Sequence, residues 1–164
     1  MVEKPKIHAG IIEVAVAKLI NYRIHTIVPN VYWGLGFFHE CDMLVLDDKG
    51  RFTEIEIKCS LTDLRNDFKK THGHRSKIIS RLIYAAPEFV LEKGRDLIPD
   101  KCGIIKIVST KNVYHQWQHK AVWDRKCIHD KTKDKPDAKT VLKFMSLGCM
   151  RIWSLKERNN KYSK

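Results

Sequence analysis

Several features are missing from this chain of 164 residues, and each absence narrows what it can be. No apolar run approaches the roughly 20 residues that span a bilayer, so no membrane partnership is expected. Met1-Val-Glu-Lys-Pro has none of the basic, apolar and small-residue regions of a secretory signal. The five cysteines, at 41, 59, 102, 127 and 149, are an odd, scattered set with no Cys-x-x-Cys pair. That argues against a disulfide framework and fits a reducing cytoplasm. There is no Gly-x-x-x-x-Gly-Lys-Ser/Thr loop and no Gly-x-Gly-x-x-Gly turn, which leaves nucleotide binding a minor reading. Cys127 and His129 have no second pair at finger spacing, and no repeat or long low-complexity segment is present.

Acidic residues are also scarce in one part of the chain. Residues 1–100 hold 15 Lys/Arg and 14 Asp/Glu, whereas residues 101–164 hold 16 and 5, so the second part carries nearly all of the net charge of +12. A basic region beside a cluster of acids suits a polyanion, with affinity that falls as salt rises. A merely soluble basic surface is the alternative.

The acids that are present gather in residues 40–60. Met43 to Leu46 is an unbroken apolar run, Asp47-Asp48-Lys49-Gly50 supplies turn chemistry, and Phe52 to Cys59 alternates strictly, which predicts a β-hairpin. Alternation puts Phe52, Glu54, Glu56 and Lys58 on one face of the second strand and Thr53, Ile55, Ile57 and Cys59 on the other. Glu56 and Lys58 then point the same way, roughly 7 Å apart. The hairpin brings Asp42 opposite or diagonal to Glu56. Two carboxylates suit a divalent cation that keeps water and phosphate oxygens in its other positions, and a lysine beside them can orient or deprotonate water or balance phosphate charge. The implied chemistry is phosphodiester hydrolysis. Taken alone, Glu-x-Glu-x-Lys equally suits the solvent face of an amphipathic strand.

Asp42 followed one hairpin later by Glu56-Ile57-Lys58 resembles the PD-(D/E)XK nuclease signature. The continuation Ser60-x-x-Asp63-x-x-x-Asp67-x-Lys69 is similar to the MmcB-like group of DNA repair endonucleases. Weaker similarity runs through Arg81–Pro87, Leu97–Gly103 and Met150–Lys156, so the resemblance covers most of the chain, with specificity in the hairpin and the acidic pattern after it. Cys41 stands where the motif's proline would be. The resemblance implies a restriction-endonuclease-like α/β core (αβββαβ) with a mixed central sheet flanked by helices. It makes Asp42 and Glu56 ligands of Mg²⁺ or Mn²⁺, adds the Ile57 carbonyl and Glu13 as further ligands, and makes Lys58 the catalytic lysine. Ser60, Asp63, Asp67 and Lys69 become supporting residues.

Elsewhere, periodicity predicts a first helix over 7–22 with Ile11, Ile12, Ala15, Val16, Leu19 and Ile20 as its apolar stripe and Glu13 at the stripe's edge. A short edge strand is expected over 25–28. Tyr32, Trp33, Phe37 and Phe38 cover a sheet or form a base-stacking loop. Ser60 is an N-cap for a helix over 61–70 whose inner side is Leu61, Leu64, Arg65 and Phe68, leaving Asp67 and Lys70 elsewhere. Asp63 either caps this helix or supports Lys58. In the loop over 71–77, His72 and His74 are a weak metal pair, and phosphate contact by Arg75 and Lys77 is the preferred reading. Strands over 81–86 and 103–109, joined by a helical crossover, are a parallel pair. From Tyr114, aromatics interleave with basic residues including Arg125 and Lys126, either a nucleic-acid strip or a solvated linker. A last helix over 138–155 is expected to bury Val141, Leu142, Met145, Leu147, Cys149 and Ile152.

Residues 1–164 are thus read as one domain, with a basic segment over about 111–164 packed on or extending its core. The expected activity is that of a metal-dependent DNA endonuclease in repair or processing. The alternative is a catalytically weak nucleic-acid-binding module working with other repair or replication proteins. The oligomeric state is left open.

Overall fold

The computed structural model describes residues 6–32, 35–37, 39–70, 74 and 76–162. Its central hairpin closes where the turn chemistry directs. Asp47 Oδ1 accepts the Lys49 and Arg51 amides at 3.0 and 2.9 Å. Gly50 takes φ 70°, a left-handed value that glycine adopts without a Cβ clash. The flanking strands are β2 (Cys41–Leu46) and β3 (Phe52–Ile57).

Before them come α1 (Ala9–Ile20) and β1 (Thr26–Val31), and after them α2 (Leu61–Asp67), β4 (Ile79–Pro87) and α3 (Glu88–Gly94). A 3-10 turn (Arg95–Leu97), β5 (Gly103–Lys111), β6 (Trp117–Arg125) and α4 (Ala138–Tyr162) complete the order. The six strands form one sheet in sequence order. β3–β4 and β4–β5 are parallel, and the other pairs are antiparallel. This is the mixed α/β sheet flanked by helices that the sequence predicts. Pro29 lies within β1, an edge strand, where its missing N–H costs no ladder bond.

Ile12, Ala15 and Val16 of α1 pack on Met43, Ile55, Ile57, Ile83 and Ile105 on one side of the sheet. Leu64, Val90 and Leu91 of α2 and α3 pack on Tyr84, Ala86 and Ile104 on the other. Phe144 of α4 joins Val28, Leu44, Phe52 and Ile79 farther along that second side. No helix among the described residues is long and apolar enough to cross a membrane.

Two expectations change. The stretch read as a nucleic-acid strip or linker contains β6, paired with β5 through Ile105–Trp123 and Ile107–Ala121. Ala121 and Trp123 join the α1-side core, and so few inward apolar residues leave the alternation faint. Helix α4 runs beyond 155 and is rotated from the expected face. Phe144 is buried and Val141 and Leu147 are half-buried, while Leu142, Met145, Cys149 and Ile152 are exposed. A helix lying on β1 at the sheet edge has room for only one narrow stripe.

Candidate active site

The paired register of β2 and β3 includes Met43–Ile55, and one step farther out antiparallel geometry sets Asp42 level with Glu56. There Asp42 Oδ2 accepts the Ile57 N–H at 2.7 Å, so a carboxylate replaces a backbone acceptor and is fixed at the end of the sheet. The Lys58 N–H bonds the Ala85 carbonyl at 2.9 Å, carrying the parallel pairing past the end of β3. Glu54, Glu56 and Lys58 share a face as the alternation requires, yet that face is not in water. All three are buried, at 0, 2 and 2% exposure.

The cover comes from α2 and the residues around it. Ser60 Oγ accepts the Asp63 N–H at 3.1 Å, and Asp63 Oδ2 accepts the Cys59 N–H at 3.3 Å, a reciprocal cap that starts the helix. Leu64 then faces the sheet, and Asp67, three residues on, falls on the same side. Asp67 Oδ1 accepts from Lys58 Nζ at 2.8 Å and from Lys70 Nζ at 2.7 Å. Its Oδ2 accepts the Tyr84 hydroxyl at 2.9 Å and lies 2.9 Å from His74 Nε2. The expected inner side of this helix is therefore corrected. Arg65 and Phe68 are exposed and Asp67 is buried, because four donors offset the loss of its water. Lys69 is exposed as well, and Lys70 is the lysine that reaches the site.

Lys58 Nζ donates to Glu56 Oε2 at 2.6 Å as well as to Asp67. Burial alone would drive the proton off this lysine, but Glu56 and Asp67 outweigh it and hold the pKa well above the ordinary value. Glu56 moves the other way: burial, joined by the charge of Asp42 and opposed by Lys58, raises it to about 7. Asp42 is raised by burial against the Ile57 bond and Lys58, and Glu13 by burial and then by Asp42. Glu13, Asp42, Glu56, Ile57, Lys58, Asp63 and Lys70 line one cleft of about 400 Å³. For all three raised carboxyls burial is the largest cause, so the cleft holds acids whose charged form is disfavoured by lost hydration.

The sequence pattern gives Glu54 and His39 no site role, and His74 only a weak metal reading paired with His72. Glu54 stands on the same face as Glu56 and Lys58, which was the available signal. The His74 ring is turned inward, 2.9 Å from Glu54 Oε1. Arg75, His72, Trp33 and Phe38 lie outside the described residues. Lys77 is exposed, and its carbonyl accepts the Asp134 amide at 3.0 Å. Arg125 is engaged within the fold. Its guanidinium holds the turn before β5, donating to the Ile98, Pro99 and Cys102 carbonyls at 3.0, 2.8 and 3.0 Å and to Asp100 at 3.1 Å. Lys126 Nζ sits 3.8 Å over the Trp123 ring and lines a different cleft, with Asp47 and Arg81 at the turn end of the hairpin. The basic side chains lining the acid cleft are Lys58 and Lys70, and Arg151 of α4 bonds the carbonyl of Asn30, whose residue also lines it.

A family model described as DNA repair protein MmcB-like matches residues 5–151. A solved structure of a protein of unknown function from Silicibacter pomeroyi is similar in fold, with a TM-score of 0.68 at 18% identity over 97% of this chain and 96% of that one. No curated protein matches the chain.

Proposed function

The chain belongs to the MmcB-like DNA repair protein family, and from that premise we propose that it is a metal-dependent DNA endonuclease of the PD-(D/E)XK type. The observation that carries the reading is the convergence of Asp42, Glu56, Lys58 and Glu13 on one cleft at the end of a buried hairpin. A family tied to DNA repair supports DNA as the substrate, with other repair or replication proteins as partners.

The donor set fits Mg²⁺ or Mn²⁺. Its atoms are hard oxygens from Asp42, Glu56 and Glu13, with Ile57 also lining the cleft, and Glu56 Oε1 is buried, 3.9 Å from His74 Nδ1, with no hydrogen-bond partner among the described residues. When bound, such an ion would supply Lewis acidity toward the phosphate and a more acidic water. Asp42 is pre-positioned by its bond to the Ile57 amide, so one oxygen is fixed while the other is left for the cleft. Lys58 donates to Glu56 and Asp67, which raise its pKa above the ordinary value, so it can serve as a hydrogen-bond donor and positive charge toward phosphate and water. Asp67 is a positioning residue for Lys58, and Lys70 adds charge at the rim. Strand scission leaving a 5′-phosphate follows from the superfamily resemblance.

The test is cleavage of labelled single-stranded, duplex and branched DNA with Mg²⁺, Mn²⁺ or EDTA. We expect metal-dependent cutting that Asp42→Asn and Lys58→Ala abolish while DNA binding survives. Cutting by either variant at the wild-type rate overturns the assignment. A second reading, a DNA-binding module without turnover, draws on the double ion pairing that already occupies Lys58. Salt-sensitive binding with no cutting of any substrate would favour it.

A further inference from the structure

One step deeper along β3 than Glu56 lies a cluster that the proposed reaction leaves unused. Glu54 is fully buried, and two imidazoles converge on the same oxygen: Oε1 is 2.5 Å from His39 Nε2 and 2.9 Å from His74 Nδ1. The buried Cys41 Sγ lies 3.9 Å from His39 Nε2. The ligand atoms of His39, Cys41 and Glu54 all lie within 4.8 Å of one another. Glu54 Oε2 is buried with no hydrogen-bond partner among the described residues. His74 falls in a neighbouring triad with Glu54 and Glu56, and His39 also lines the acid cleft, so the cluster borders that cleft. We propose that His39, Cys41 and Glu54, with His74 drawn in on the shared Glu54 oxygen, form a second metal site for a transition metal of the zinc class, beside the hard-oxygen cleft.

The donor chemistry selects the metal. Two imidazoles, a thiol and a carboxylate are a mixed nitrogen, sulfur and oxygen set that suits Zn²⁺ and its borderline relatives and does not suit Mg²⁺. Neutral imidazoles with a thiolate and a carboxylate also balance a dication, which is what a buried charge requires. Ligands around a tetrahedral zinc sit about 3.3–3.6 Å apart, so the Cys41–His39 spacing needs little change and the two histidines need only part slightly from Glu54. The orientation of His74 points the same way. Its other nitrogen, Nε2, lies 2.9 Å from Asp67 Oδ2, the carboxylate–histidine pairing that fixes the ring of a metal-bound imidazole. With His74 drawn onto the ion, four protein ligands would leave no open position, and the role would be structural. The ion would tie the segment carrying His74 to β2 and β3 and, through Asp67, hold Lys58 in place.

The inference does not depend on the nuclease reading, and Co²⁺ separates the two. Metal-free protein is titrated with Co²⁺ in excess Mg²⁺, reading the visible ligand-field bands and the sulfur-to-cobalt charge-transfer band, with circular dichroism to confirm the fold. We expect one equivalent bound with a thiolate band. Cys41→Ser should abolish that band, His39→Ala and His74→Ala should weaken Co²⁺ binding about tenfold or more, and Asp42→Asn should leave the spectrum as it is. No thiolate band in folded wild type, or a band that survives Cys41→Ser, overturns the proposal. So does a spectrum lost in Asp42→Asn as fully as in Cys41→Ser, which would place the ion in the acid cleft. Should a histidine variant fail to fold, the near-isosteric Cys41→Ser decides alone.

Discussion

On the α1 side of β3, Ile55 and Ile57 sit among Ile12, Val16, Ile83 and Ile105, whereas on the opposite side Glu54, Glu56 and Lys58 are buried as fully but meet His39, His74 and Asp67. Burial per se therefore does not separate the two faces; the partners do. Each isoleucine contributes on the order of 2–3 kcal/mol by leaving water. Each charge opposite loses its hydration, and pairing only offsets that loss, so packed hydrophobic side chains there would serve stability equally well or better. The charged face is also unbalanced. Its partners hold Glu54 down to about 2, through hydrogen bonds from His39 and His74 that overcome burial, and push His74 up to about 10. Glu56 and Asp42 remain raised. Burial is the largest cause of both shifts, so on this face the loss of hydration is only partly offset by the partners present.

The sharpest way to break the comparison is Lys58→Ala. It strands Glu56 and Asp67 without their shared ammonium, and a loss of about 3–5 kcal/mol is expected in urea denaturation, together with loss of metal-dependent cleavage. Lys58→Met, which refills the volume, should regain part of the stability and none of the cleavage. Equal recovery of both would show that the lysine matters only by filling space. On the other face, Ile55→Ala should cost about 2–5 kcal/mol from lost contact and the cavity left. Cleavage per folded molecule should stay at the wild-type level. A fall in that specific rate would mean that the apolar face also sets the geometry of the acids.

The hairpin, the parity of β3 and the parallel crossover were legible because each rests on short-range pattern: alternation, turn residues and apolar runs. Asp42, Glu56 and Lys58 followed from that parity together with the resemblance. What escaped was decided by neighbours distant in sequence. Asp67 reads as an outward residue because it is charged, and it turns inward only because Lys58, Lys70, Tyr84 and His74 are waiting there. Arg125 reads as a phosphate ligand until the carbonyls of 98, 99 and 102 are seen to occupy it. Strand β6 was hidden because most of its residues meet solvent on one side or lie at the sheet edge, and α4 was mis-rotated because the helix has apolar residues around most of its circumference.

A smaller effect probes how the charged face is held together. Ser60→Ala removes the acceptor for the Asp63 amide, costing about 1 kcal/mol, and the loss should fall on the helix that carries Asp67. Amide exchange would therefore quicken first in 61–67, with β3 protected as before. Uniform quickening across the sheet would show that α2 does not open separately.

The least effect is expected at the other end of the same hairpin, where Asp47 Oδ2 meets Arg81 at 2.9 Å and Oδ1 caps the turn. Burial acts to raise the Asp47 pKa, but the Arg51 amide and Arg81 outweigh it, and the pKa is lowered. Asp47→Asn keeps an oxygen for the turn amides and removes only the charge, so the expected loss at neutral pH is about 0.2–1 kcal/mol. A depressed carboxylate stabilises the fold above its unfolded pKa, near 3.9, and that contribution fades as pH falls through the lower folded value. The difference in urea midpoint between wild type and Asp47→Asn should accordingly be constant above about pH 5 and close toward zero as pH falls through the lower folded value. A gap that persists in acid would assign the effect to the turn and not to the ion pair. Either way the proposed cleavage should be untouched, since Asp47 lines a different cleft from Asp42, Glu56 and Lys58.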